Sequence, residues 1–132
     1  MKIAADTNIL LRGVLRDDPV QSHLAERALE SAELVVISVP VLCEFVWVLR
    51  QDYKKPPSDI AAAIRVLMDS PNAVMNQPAV EAGLALLDAG GDFADGAIAY
   101  EGHWLGADEF VSFDKEAVSL LKSQGNRARL LR

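Results

Sequence analysis

Apolar positions along this chain follow two rhythms. Short apolar runs, bounded by polar or turn-forming residues, predict strands at residues 3–5, 34–37, 72–76, 109–112 and 128–131. Between them, apolar residues recur at helical spacing and predict helices at 8–15, 20–32, 39–49, 58–68, 79–89, 92–105 and 115–123. Breakers mark several boundaries: Asp17-Asp18-Pro19, Lys54-Lys55-Pro56-Pro57, Gly90-Gly91 and Gly106. Ser38 and Ser58 are in place to cap the helices that follow them. Within 39–49, Leu42, Phe45, Val46 and Leu49 form one stripe, and Val41, Trp47 and Val48 make the other side apolar too. A helix of that kind is expected to be buried on two faces, in the core or against a partner.

Alternation of strand and helix with no hairpin signal implies an α/β protein with a parallel sheet covered by helices on both faces. At 132 residues, a single domain spanning 1–132 is expected, and no repeat or linker interrupts it. The chain is 51% hydrophobic and 24% charged, as ordinary globular proteins are. Its net charge of -6 argues against non-specific coating of nucleic acid, which depends on Lys and Arg. That charge leaves room for a nuclease whose acids are neutralised by metal. One cysteine, Cys43, excludes an internal disulfide and suits a reducing compartment. The first residues lack a signal peptide's apolar core, and no run is long enough to span a membrane. A cytoplasmic protein is expected.

Four acids stand where such a fold places chemistry. Asp6 and Asp114 follow predicted strands, whereas Glu44 and Asp95 lie in helices entered from a strand or a loop. Ligands of open α/β sheets bind beyond the carboxyl ends of the strands. Each acid also has a plainer explanation. Asp6 and Asp114 serve as helix N-caps, Asp92-Phe93-Ala94-Asp95 reads as a capping box, and Glu44 could pair with an arginine among its apolar neighbours. Together they say more, because clustered carboxylates raise one another's pKa unless a counter-charge is present. Oxygen-only ligands suit Mg²⁺ or Mn²⁺ rather than zinc.

Asp6-Thr7-Asn8 after a short strand, Glu44 in an apolar helix, Asp92-Phe93-Ala94-Asp95 opening another, and Ser112-Phe113-Asp114 resemble the PIN domain. Among its members, the VapC-type toxins of bacterial toxin–antitoxin modules are most similar. The resemblance implies a three-layer α/β/α sandwich with a mainly parallel central sheet. It also implies Mg²⁺- or Mn²⁺-dependent endoribonuclease activity, a homodimer and inhibition by a small VapB-like antitoxin. By position, Asp6, Glu44, Asp95 and Asp114 match the catalytic, metal-binding quartet. Asn8 and Ser112 match flanking polar positions, and Asp92 is a further auxiliary acid. The chain departs from the family at Asp95-Gly96-Ala97-Ile98-Ala99-Tyr100-Glu101-Gly102, where two glycines weaken the helix by about 1 kcal/mol each relative to alanine.

Other chemistry finds little support. His23 and His103 lack companions at ligand spacing, Cys43 reads as packing, and no phosphate-binding glycine loop is present. Arg12, Arg16, Arg50, Lys54, Lys55 and Lys115 could steer RNA, although each is first a solvated charge. Trp47 and Trp104 are expected in core or interface packing rather than as stacking platforms. Two alternatives to the ribonuclease are carried forward. One is a metal-dependent phosphatase, in which a second acid usually stands where this chain has Asn8. The other is a PIN-like module that binds RNA or protein without cutting.

Overall fold

The computed structural model describes residues 1–132, which divide into two compact units, Met1–Asn76 and Gln77–Arg132. The first unit contains strands β1 (Lys2–Ala4), β2 (Leu34–Val36) and β3 (Ala73–Val74) with helices α1 (Thr7–Leu15), α2 (Pro19–Ser31), α3 (Val39–Gln51) and α4 (Pro57–Met68). Its strands form one parallel ladder in the order β1-β2-β3. Ile3 pairs with Val35, and Val35 with Ala73. The pairing is extended by Ala5 N–H to the Val36 carbonyl (3.1 Å) and Ile37 N–H to the Val74 carbonyl (2.9 Å). The Asn72 side chain donates to the carbonyls of Leu29 (2.8 Å) and Ala32 (3.1 Å), tying the end of α2 to the start of β3.

The stripe Leu42, Phe45, Val46 and Leu49 is buried, as its spacing requires. The opposite side of α3 is not in the core: Trp47 is 59% exposed, Glu44 is exposed and Val48 is half-buried. Ser38 precedes α3 with extended backbone but makes no side-chain capping bond. Ser58 falls inside α4, because Pro56 takes the cap position and Pro57 begins the helix. Proline is pre-set for the first helical turn and needs no hydrogen-bond partner for its nitrogen there. From the last turn of α1, Arg12 donates to Asp17 (2.5 Å) and Tyr53, and the Tyr53 hydroxyl donates to Asp17 (3.2 Å), tying the α3–α4 loop to the end of α1.

The second unit contains α5 (Gln77–Asp88), α6 (Phe93–Trp104), β4 (Phe110–Ser112), α7 (Lys115–Ser123) and β5 (Ala128–Leu130). β4 and β5 pair in parallel, Phe110 opposite Ala128 and Ser112 opposite Leu130. Leu86, Val118, Leu121 and Ala128 form a buried cluster with Ala99, Phe110, Leu120 and Leu130 packed against it. The α/β class and its parallel pairing are therefore as expected. The strands are carried in two ladders, one in each unit.

α5 and α6 pack with very little room between them. A Cβ on Gly96 would lie 2.3 Å from the Ala82 carbonyl oxygen, and one on Gly83 would lie 2.6 Å from the Phe93 ring. Gly96 thus exchanges helix propensity for close packing. Gly102 has no such role, since its nearest neighbour would be Ala107 at 4.0 Å.

Candidate active site

In the first unit, Asp6 stands just beyond the carboxyl end of β1. Its Oδ1 accepts from Ile9 N–H (3.1 Å), so it is the N-cap of α1. Asn8 is exposed in the first turn of the same helix. Glu44 lies in α3, which leaves the carboxyl end of the adjacent strand β2. Glu44 is on the exposed side of α3, so solvation rather than a buried ion pair accommodates its charge there.

In the second unit, the acids gather at two helix N-termini. Asp92 caps α6, its Oδ1 accepting from Ala94 N–H (3.3 Å), and Asp95 follows in the first turn. Asp114 leaves β4 and caps α7, accepting from Glu116 N–H (3.0 Å) and Ala117 N–H (3.1 Å). Ser112 Oγ accepts from Asp114 N–H (2.9 Å) and fixes the turn between strand and helix. The capping explanations for Asp6, Asp92 and Asp114 are all realised. They do not compete with ligation: each of these bonds uses Oδ1, and a carboxylate has a second oxygen and further lone pairs.

Asp95 is the acid that capping leaves unexplained. Its carboxyl is held above the ordinary carboxylate range, first by desolvation, then by the charges of Asp92 and Asp114. Two negative neighbours and partial burial make the ionised form of Asp95 costly. Glu101, by contrast, is exposed in the later part of α6, roughly 9 Å along the axis from Asp95.

No set of three or more His, Cys, Asp or Glu side chains is close enough to hold a metal directly. Mg²⁺ does not require such a cage, because it keeps several waters and is commonly held by one or two carboxylates. Asp92 and Asp114 act on Asp95 through their negative charge, and carboxylate oxygens are donors that fit a hard divalent cation. His23 and His103 are exposed. Arg12 is engaged by Asp17 and Tyr53, and Arg16 pairs with Glu26. Lys54, Lys55 and Lys115 are exposed. Trp104 is 73% exposed, so neither tryptophan packs in the core.

The PIN-domain family model matches residues 3–120, running through both units and all the acidic motifs. The chain belongs to the PIN-domain family. PIN domains are nuclease folds. No curated protein matches the chain. No helix of this PIN domain is long and apolar enough to cross a membrane.

Proposed function

We propose that this PIN domain is a Mg²⁺- or Mn²⁺-dependent endoribonuclease, the toxin of a VapBC-type toxin–antitoxin module acting in the cytoplasm. The observation that carries the reading is the PIN-domain family match across residues 3–120, which spans all four acids; it is supported at Asp95, whose carboxyl is raised by burial and by Asp92 and Asp114. A structural acid at a helix N-terminus gains from the helix dipole, at most about 1 kcal/mol when exposed. Here that gain is offset by two like charges and by desolvation. Perturbation of this kind is characteristic of functional acids.

We assign the catalytic, metal-binding set as Asp6, Glu44, Asp95 and Asp114, with Asn8, Asp92 and Ser112 auxiliary. The order of the motifs along the chain and the family match across residues 3–120 support that assignment. When bound, the divalent ion would lower the pKa of a water and neutralise charge developing on the scissile phosphate. Asp95 and Asp114 would hold the ion, Asp92 would add negative potential, and Ser112 would keep Asp114 in place. The partners proposed are RNA as substrate, a second copy of the chain and a small VapB-like antitoxin.

The test is incubation with single-stranded RNA in Mg²⁺, in Mn²⁺ and in EDTA, with p-nitrophenyl phosphate assayed in parallel. Cleavage should require the metal and leave 5′-phosphate and 3′-hydroxyl ends. Cyclic 2′,3′-phosphate ends, or cutting that persists in EDTA, would refute the hydrolytic reading. Turnover of p-nitrophenyl phosphate without RNA cleavage would favour the phosphatase.

A further inference from the structure

We infer that Phe113 is a base-stacking platform that seats a nucleotide of single-stranded RNA beside Asp114. The inference rests on the ribonuclease reading and names how the second unit holds substrate. Phe113 is 79% exposed, more so than any other large hydrophobic side chain except Met1. A phenylalanine left in water forgoes the gain from burial, so its position calls for an explanation.

The backbone on either side of Phe113 is fixed. Ser112 closes β4 and its Oγ accepts from Asp114 N–H (2.9 Å), while Asp114 caps α7 through two backbone N–H groups. The ring is therefore presented from a rigid turn, and little backbone order is lost when a ligand covers it. Every base has a π-face, and stacking on an aromatic side chain tolerates sequence while adding affinity.

The next neighbour points the same way. Lys115 is the first residue of α7 and is exposed. A cation is unfavourable at a helix N-terminus, so Lys115 does not serve the helix. An aromatic, an acid and a cation in succession supply a base contact, a metal ligand and a phosphate contact. Residues that break local rules in this way mark functional sites. The net charge of -6 makes such a non-ionic contact more valuable, since the 13 lysines and arginines that could hold RNA are outnumbered by 19 acids.

The experiment measures affinity and steady-state cleavage for the full chain on a single-stranded RNA, and on a series carrying one abasic site at each position in turn. Phe113→Ala and Phe113→Leu should weaken binding roughly 5- to 150-fold, and Phe113→Tyr should retain it. The loss should appear in KM more than in kcat, with the thermal midpoint unchanged. At one RNA position, removing the base should weaken the wild type but add nothing to Phe113→Ala, as expected for two partners of one contact. Equal affinity of Phe113→Ala and wild type, or additive losses at every position, would overturn the inference while the ribonuclease reading stood. If the wild type neither bound nor cut any RNA of the series, that reading would fail and take the inference with it. A change in oligomeric mass on Phe113→Ala, with RNA affinity intact, would assign the ring to a protein contact and overturn it too.

Discussion

Asp92 and Asp95 are three residues apart in one helical turn, yet the fold uses them differently. Asp92 satisfies a backbone N–H, so Asp92→Ala should cost about 0.5–2 kcal/mol, and Asp92→Asn, which keeps a capping oxygen, much less. Asp95 instead carries a carboxyl raised above its usual 3.8 by desolvation and by Asp92 and Asp114. A raised folded-state value means that the protonated form favours the fold. That contribution is complete below the unfolded pKa and is lost as pH rises through the folded value. Asp95→Asn cannot ionise, so without metal it should have a higher thermal midpoint than wild type at pH 7. The difference should vanish below about pH 3.8, where wild-type Asp95 is protonated in both states. Added Mg²⁺ should raise the wild-type midpoint more than that of Asp95→Asn. Equal midpoints at pH 7, with equal responses to Mg²⁺, would show that Asp95 is an ordinary surface acid. At this scale the sequence was informative about capping, because Asp6, Asp92 and Asp114 each precede a helix and each caps one. It was silent on Phe113, since nothing in an apolar residue after a strand says whether it turns inward.

Helix boundaries follow from periodicity and breakers to within a residue or two, and the helix expected at 115–123 coincides with α7. What periodicity missed was which apolar face meets solvent. Leu42, Phe45, Val46 and Leu49 and the side bearing Trp47 look alike in sequence, but only the first is buried. Glu44 appeared enclosed for the same reason, and the fold puts it on the open side. The two glycines of α6 also looked equivalent, as breaks in a helix. Distances separate them. Gly96→Ala would drive a methyl into the backbone of α5 and should destabilise the protein by several kcal/mol or prevent folding, as overpacking against backbone does. Gly102→Ala meets only an ordinary contact with Ala107 and should stabilise it by about 0.5–1 kcal/mol. Urea unfolding of both variants checks this, and similar effects of the two would contradict the packing account.

For the molecule as a whole, the proposed homodimer would be anchored on α3 at Trp47. Trp47 is 59% exposed there, with Val41 half-buried on the same helix. Aromatic residues in exposed apolar patches are favoured interface anchors. Light scattering at micromolar concentration should give twice the 14.3 kDa chain mass, and Trp47→Glu should return it to one chain. A wild-type particle of 14.3 kDa would refute the dimer. The PIN family was legible because four weak motifs came in order across the chain, although no one of them carried it. The central claim is that Asp95 belongs to a metal-dependent ribonuclease site. Its most direct test is the rate of RNA cleavage by wild type, Asp92→Asn and Asp95→Asn, each with Mg²⁺ and then with EDTA. Wild type and Asp92→Asn should cut only with Mg²⁺, and Asp95→Asn should not cut in either condition although it remains folded. Mg²⁺-dependent cleavage by Asp95→Asn at the wild-type rate would contradict the account.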